Sequence, residues 1–517
     1  MKTCPTVFNF ARHLIEQNES RASKLAYIDD TRRLTYGELA DRIAAFAGVL
    51  KNLGLRREER ILLAMHDTVD WPVIFLGSLY AGVIPVAVNT LLTADDYAFM
   101  LEHSRAQAIF TSPDLLPTLQ KAVGSAENEV NHIIVAGDTS ALPQGVHPLE
   151  TLMARASRPA CIKTLADEPA FWLYSSGSTG RPKGVVHCHG NLWYTATLYG
   201  IPTLALTEND VVFSAAKMFF AYGLGNALTF PLSAGATVVL MGERPTPDAV
   251  FQRLKQHQPT VFCGVPTLYA SMLASPNLPD RSELNLRVCA SAGEALPKEL
   301  GERFTRHYGC FILDGIGLTE MLHIFLSNQL DDVRYGTTGK PVPGYEVSLR
   351  DEHGNPVPAG SIGDLYVKGP SAALLYWNNR AKTRETMLGD WLKCGDKYIC
   401  DADGYYCYAG RSDDMIKVSG QYVSPIEVEN VLVQHESVLE AAVVGIADEQ
   451  GLIKTVAYVV LRQGHAPGEQ ADNTLKAYVK SQLAPFKYPR TIHFVDDLPK
   501  TATGKIQRFR LRQTEAR

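Results

Sequence analysis

Ala170-Phe-Trp-Leu-Tyr174 runs directly into Ser175-Ser-Gly-Ser-Thr-Gly-Arg-Pro-Lys-Gly184. A short apolar strand empties into a loop of hydroxyls and glycines that ends in a lysine. Glycines let a ligand approach the backbone closely, hydroxyls donate hydrogen bonds, and a cation offsets phosphate charge. The stretch is not a Walker A loop: Lys183 does not directly follow Gly180, and no Ser or Thr comes after it. A flexible surface linker is the ordinary alternative. Linkers rarely join a buried strand to this ordered Ser/Thr/Gly/Lys content.

Outward from this stretch, strand-like runs alternate with helix-like ones. The runs 108–111, 131–136, 237–241, 260–264 and 287–291 read as strands, and 35–53 and 249–257 as amphipathic helices. The rhythm predicts α/β layers with largely parallel sheets. The apolar stretch 71–88 is long enough to suggest a membrane span. Pro72, Gly77, Gly82 and Pro85 interrupt it, and 61–65 before it is also apolar. It reads as strand, helix, strand, a buried β-α-β unit. From about Ser348 the pattern turns β-rich, with turns at Asp351-Glu-His-Gly-Asn355 and Asp403-Gly404. After Ser412 it returns to α/β, with a helix start at Ser424-Pro425-Ile-Glu427 and strands over 441–446 and 455–461. The expected organisation is a large N-terminal multi-sheet α/β domain with a β-rich subdomain, 1–412, and a small mobile C-terminal α+β domain, 413–517.

Composition narrows the class. A chain of 517 residues exceeds what one core usually organises. A net charge of −5 gives no overall field to attract nucleic acid, so an anionic substrate needs a local site. The nine cysteines, Cys4, Cys161, Cys188, Cys263, Cys289, Cys310, Cys394, Cys400 and Cys407, are odd in number and form no Cys-x-x-Cys pair. That pattern predicts free thiols in a reducing compartment. The first twelve residues have no apolar core suited to a signal peptide. A cytoplasmic location follows, with no membrane partner. The oligomeric state stays open between monomer and homodimer.

Further motifs follow the phosphate loop: Ser291-Ala-Gly-Glu-Ala-Leu-Pro297, Asp314-Gly-Ile-Gly-Leu-Thr-Glu320, Gly363-Asp-Leu365, Trp391-Leu-Lys-Cys-Gly-Asp396, Gly410-Arg-Ser-Asp-Asp414 and Pro499-Lys-Thr-Ala-Thr-Gly-Lys505. With 175–184, and in this order, they resemble the adenylate-forming superfamily of acyl-CoA synthetases, luciferases and peptide-synthetase adenylation domains. The resemblance spans nearly the whole chain. It implies a two-step reaction. A carboxylate attacks the α-phosphate of ATP and expels pyrophosphate; a thiol, here that of coenzyme A, then attacks the mixed anhydride and expels AMP. The first step joins two anions, so catalysis means positioning and charge neutralisation.

The resemblance implies these roles. Ser175, Ser176, Gly177, Ser178, Thr179, Gly180 and Lys183 cradle the ATP phosphates. Glu320 is a hard oxygen ligand suited to Mg2+. Thr319 hydrogen-bonds the α-phosphate. Gly293, Glu294 and Ala295 flank the adenine, with Asp314 at its edge. Asp396 and Arg411 grip the ribose hydroxyls; an interdomain ion pair is the ordinary alternative. Lys505 reaches the substrate carboxylate and the α-phosphate during adenylation. Asp413 is the hinge about which the small domain turns to bring a second face, carrying Lys417 and Gly420, to the site. Phe486-Lys-Tyr-Pro-Arg490 lies where relatives contact CoA, although some relatives carry a basic residue in place of Tyr488.

For the acid, Lys217-Met-Phe-Phe-Ala-Tyr-Gly-Leu-Gly-Asn226 and Thr319-Glu-Met-Leu-His-Ile-Phe-Leu-Ser-Asn328 resemble the benzoate-CoA ligase subgroup. So do Asn89-Thr-Leu-Leu-Thr-Ala-Asp-Asp-Tyr97 and Met100-Leu-Glu-His-Ser104. Phe220 and Tyr222 offer flat apolar faces, Ala221 and Gly223 leave room for a ring, and Ile324 closes the pocket. His323 bonds a ring substituent or completes the wall; ordinary core aromatics are the alternative. Leu318 departs from the small residue expected there. The expected activity is an AMP-forming aryl-acid:CoA ligase acting on benzoate. The alternatives are 4-hydroxybenzoate or another substituted aryl acid, or a module loading a separate carrier protein. His187-Cys-His189 lacks a third ligand cluster and reads as structure after the phosphate loop rather than a metal site.

Overall fold

A computed structural model describes residues 3–140, 142–175, 181–412, 414–418, 421–447, 453–483, 487–500 and 506–514. The chain divides into two compact units. One comprises Met1–Glu346 with Val367–Leu392, and the other Val347–Tyr366 with Lys393–Arg517. Ser176, Gly177, Ser178, Thr179, Gly180, Asp413, Gly420, Phe486 and Lys505 lie outside the described residues.

The first unit is built on two large sheets. In the eight-stranded sheet, Arg60–Ala64 pairs in parallel with Ile84–Ala87 and with Ala106–Thr111. The intervening stretch forms the helix Asp70–Ala81, fully buried along most of its length. The apolar run 71–88 therefore supplies the helix and second strand of a strand–helix–strand unit that begins at Arg60–Ala64, and it is buried in protein. Among the described residues no helix is long and apolar enough to cross a membrane. The strand Pro169–Ser175 joins this sheet beside Ile84–Ala87. It pairs antiparallel with Lys183–Cys188, so the phosphate segment is the connection of a hairpin. The nine-stranded sheet carries a parallel run through Val211–Ser214, Val261–Gly264, Val288–Ser291 and Phe311–Gly317. Such sheets place their ligand loops at the carboxyl ends of the strands.

In the second unit, Ile362–Lys368, Trp391–Cys400 and Tyr406–Arg411 belong to one sheet. Asp364 is its charge hub: Ser412 Oγ donates to it at 2.7 Å and Lys397 Nζ lies at 2.9 Å. Burial works against this carboxylate, but Lys397 and Ser412 hold it below the usual range. The helix Pro425–Gln434 begins where Ser424-Pro425 places it, with Ser424 Oγ accepting the Glu427 N–H at 3.2 Å. It packs on the long hairpin Val438–Ala447 and Ile453–Leu461.

This helix carries a buried acid. Glu429 accepts the Val443 N–H at 2.7 Å and pairs with Arg508 from the helix Arg508–Thr514, again at 2.7 Å. Burial raises the Glu429 carboxyl, and Arg508 opposes that rise. Arg508→Ala should therefore leave a buried charge uncompensated and destabilise this unit by about 3–5 kcal/mol. Hydrogen exchange of the Val438–Ala447 amides should accelerate accordingly. The double change Arg508→Leu with Glu429→Leu should cost less than Arg508→Ala alone; a simple sum of two losses would count against the pairing.

Candidate active site

The junction at Glu320 gathers three segments far apart in the chain. The strand Phe311–Gly317 delivers Thr319 and Glu320 at its carboxyl end, in a single 3-10 turn, Thr319–Met321. Glu320 is buried. Ser175 Oγ donates to its Oε1 at 3.1 Å and the Tyr376 hydroxyl donates to the same oxygen at 2.7 Å. Lys183 Nζ lies 3.9 Å from that oxygen and 4.5 Å from the Tyr376 ring centroid. Burial, then the Glu320 carboxylate, push the Tyr376 phenol up, so it stays a donor. Ser175, Lys183, Thr319 and Glu320 thus meet as expected from their motifs. Tyr376 was not expected, and a lone tyrosine 56 residues from Glu320 carries no motif signal.

The backbone here is held from behind. His187 Nε2 lies 2.8 Å from the Thr319 carbonyl, and Asn191 Nδ2 lies 2.8 Å from its Nδ1. Since the amide donates to Nδ1, Nε2 carries the proton and donates to the carbonyl. Burial lowers the ring to about 4, so it is neutral at physiological pH. His189 Nδ1 accepts the Phe10 N–H at 3.4 Å. The two histidines of His187-Cys-His189 are structural, each holding a different backbone group.

Among the described residues, contacts from Ser175, Tyr376 and Lys183 fall on Oε1 of Glu320, which leaves Oε2 for a cation. Mg2+ is commonly held by one or two carboxylates plus substrate phosphates. The single hard oxygen of Glu320, beside hydroxyl donors and a lysine, fits that requirement. Among the described residues no cluster of three His, Cys, Asp or Glu could hold a metal through protein ligands alone.

Three residues beyond Glu320, His323 enters an aromatic recess. Leu322 takes a left-handed φ of +64°, an uncommon conformation for a non-glycine residue, and turns the chain into it. The His323 ring centroid lies 4.5 Å from Phe230, 5.1 Å from Tyr199 and 5.5 Å from Tyr222. Its Nε2 lies 3.2 Å from the Tyr222 carbonyl, and burial lowers it to about 3. It remains neutral across the physiological range. The helix Ala221–Leu224 runs into a π-helical turn, Gly225–Thr229. A Cβ on Gly225 would collide with the His323 ring, so glycine is required at that contact. Tyr222 and Ala221 are half-buried, Gly223 and Ile324 are buried, and Phe220 is 38% exposed. The aromatics are therefore not uniformly core: Phe220 presents its ring to the outside.

The remaining sites fall in two places. Gly293, Glu294 and Ala295 follow the strand Val288–Ser291, and Asp314 pairs with Ser291 in the adjacent strand. Burial pushes the Asp314 carboxyl well above its usual range. In the second unit, Asp396 and Arg411 stand opposite each other on paired strands, with Arg411 Nη1 3.2 Å from Asp396 Oδ1. This ion pair lies within one sheet. Lys417 belongs to the short strand Ile416–Val418.

A model of the AMP-binding enzyme family matches residues 14–377, and one of the AMP-binding enzyme C-terminal domain matches 427–505. The chain belongs to the AMP-binding enzyme family. It is 55% identical to a benzoate–CoA ligase of Thauera aromatica, over 98% of this chain and 96% of that protein. It is 47% identical to a 4-hydroxybenzoate–CoA/benzoate–CoA ligase of Rhodopseudomonas palustris, over 98% of this chain and 94% of the relative. Among solved structures, a benzoate CoA ligase from Burkholderia xenovorans LB400 matches with a TM-score of 0.90 at 60% identity, covering 98% of this chain and 100% of that one. An anthranilate CoA ligase, AuaEII, in complex with anthranoyl-AMP, matches with a TM-score of 0.93 at 39% identity, covering 100% and 99%. The fold is the adenylate-forming fold of this family, and the chain is an AMP-forming acid–CoA ligase.

The segment leading to Phe220 also rests on an acid in the first unit. Asp67, 2% exposed, accepts the Met218 N–H, at 3.2 Å to one oxygen and 3.3 Å to the other, two residues before Phe220. Burial pushes Asp67 up to about 6, with Lys217 and the Met218 amide opposing. The folded state then binds more protons than the unfolded one between about pH 4 and 6, so stability falls as pH rises through that window. Asp67→Asn, neutral throughout, should be more stable at pH 7 by up to about 3 kcal/mol. The gap should close below about pH 4. Urea unfolding of both proteins across pH 4–7 checks this, and a constant gap would contradict the assignment.

Proposed function

We propose that the chain is an ATP-dependent benzoate–CoA ligase, forming benzoyl-AMP and pyrophosphate, then benzoyl-CoA and AMP. The observation that carries this reading is the short span from Glu320 to His323. It joins a carboxylate in contact with Ser175, Lys183 and Tyr376 to an aromatic cluster of His323, Tyr222 and Phe230. The relatives of Thauera aromatica and Burkholderia xenovorans support benzoate as the acid. A cytoplasmic location accords with this substrate set of benzoate, ATP and CoA.

Ser175, with the loop residues Ser176, Gly177, Ser178, Thr179 and Gly180, holds the phosphates, and Lys183 supplies fixed positive charge. Glu320 would hold Mg2+, which would supply positive charge to offset that developing on the leaving pyrophosphate. Thr319 donates to the α-phosphate, and Lys505 bridges it to the attacking carboxylate. Gly293, Glu294, Ala295 and Asp314 receive the adenine, and Asp396 and Arg411 the ribose. A neutral His323 adds no charge to the recess, so the ring meets an apolar wall while the carboxylate points toward the phosphates. The domain 413–517 then turns about Asp413, withdrawing Lys505 and presenting Lys417 for thioester formation.

Two outcomes test this. Lys505→Ala should slow formation of benzoyl-AMP from ATP about 10²–10³-fold, the scale of losing one charge-stabilising group. It should still convert supplied benzoyl-AMP and CoA to thioester. Lys417→Ala should show the opposite bias, and Asp413→Pro should keep adenylation while losing most thioester formation. Equal loss of both half-reactions in Lys505→Ala would contradict the scheme. In a panel of acids, benzoate and fluorobenzoates should exceed acetate and octanoate in kcat/KM, each methylene-sized mismatch costing roughly 1–3 kcal/mol. A fatty acid at the top of the panel would remove the aryl assignment.

A further inference from the structure

Two of the stretches that resemble the benzoate-CoA ligases, 89–97 and 100–104, supply the helix Ala94–Ser104. Its contacts lie at the phosphate hairpin. His103 Nδ1 is 2.9 Å from the Tyr174 hydroxyl. Tyr174 pairs with Gly184, and Ser175 with Lys183, so Tyr174–Gly184 is the rung behind the two residues that meet Glu320. His103 also faces the other member of that rung: a Cβ added to Gly184 would stand 3.3 Å from His103 Cε1. The Phe99 ring stacks on His103 at 5.2 Å, one helical turn away. The Arg181 guanidinium lies 5.2 Å over Phe99, which ties the far side of the hairpin connection to the same helix. Trp377 completes the brace: its indole N–H donates to the His103 carbonyl at 3.1 Å and its backbone N–H to the Gly184 carbonyl at 2.8 Å. Burial lowers the His103 ring and raises the Tyr174 phenol, so both are neutral and the bond between them persists at physiological pH.

We propose that His103 is a positioning residue for the phosphate grip, fixing the Tyr174–Gly184 rung and through it the spacing of Ser175 and Lys183 about Glu320. The proposal rests on the reading of 175–184 as the ATP phosphate site. A purely structural role would weaken the whole nucleotide pocket or the whole unit. A positioning role weakens only the contacts to phosphate.

The test compares Mg-ATP with adenosine, each titrated calorimetrically into the full chain. Tyr174→Phe removes one oxygen and keeps the ring. It should weaken ATP about three- to tenfold, the scale of one hydrogen bond, and leave adenosine unchanged. His103→Leu should do the same. The double variant should be no weaker than either single one, because both remove the same bond. His103→Gln, whose amide can reach the hydroxyl, should recover most of the loss. Equal weakening of ATP and adenosine, unmoved ATP affinity in Tyr174→Phe, or additive losses would each overturn the proposal. If His103→Leu fails to fold, Tyr174→Phe alone decides. Wild-type ATP binding without benzoate-dependent pyrophosphate exchange would sink the ligase reading and leave this comparison standing.

Discussion

A buried carboxylate at the place where a polyanion must arrive is the constraint on which this site depends. Glu320 would repel the ATP phosphates unless positive charge and donors surround it. Its Oε1 is occupied by Ser175 and Tyr376, and Lys183 lies at 3.9 Å. Among the described residues, these contacts leave the other oxygen open to a cation. The fold must therefore bring the end of one sheet's hairpin, the carboxyl end of another sheet's strand and the short strand Leu375–Tyr376 to one point. Backbone bonds secure that convergence: the Ala373 N–H donates to the Glu320 carbonyl at 2.8 Å, and His187 holds Thr319.

The aromatic cluster around His323 follows from the same turn. Once Glu320 is fixed, the left-handed Leu322 directs His323 back toward Tyr222, and the side-chain-free surface of Gly225 lets the ring settle there. The aromatic cluster and the Glu320 carboxylate are thus joined by a few covalent bonds. A change in the recess that displaced His323 would be felt at Glu320. Buried neutral groups, His323 and His187, do the positioning, since charged ones would require partners of their own in this interior.

Much of this was legible in the sequence. The strand into 175–184, the strand–helix–strand reading of 71–88 and the helix start at Ser424 all depend on local chemistry: apolar runs, glycine and proline punctuation, and a capping hydroxyl. The structure places each of them there. What could not be read were partners distant in the chain. No local signal shows that Lys183–Cys188 returns antiparallel along Pro169–Ser175. Tyr376 and His103 act through single side chains that no periodicity marks. His187-Cys-His189 reads from sequence as structure rather than a metal site, but its partners, a carbonyl of Thr319 and an amide of Phe10, are distant backbone groups that no motif marks. Asp396 and Arg411 were legible as a pair, and the register of two adjacent strands sets them opposite each other.

In the acyl-adenylate route the acid's own carboxylate oxygen attacks the α-phosphorus of ATP. Benzoate labelled with 18O in both carboxylate oxygens, turned over with ATP, Mg2+ and CoA, tests it directly. Mass spectrometry of the products should find one 18O in AMP, one retained in the benzoyl-CoA carbonyl, and none in pyrophosphate. Label in pyrophosphate or orthophosphate, or ADP as the nucleotide product, would contradict the acyl-adenylate route.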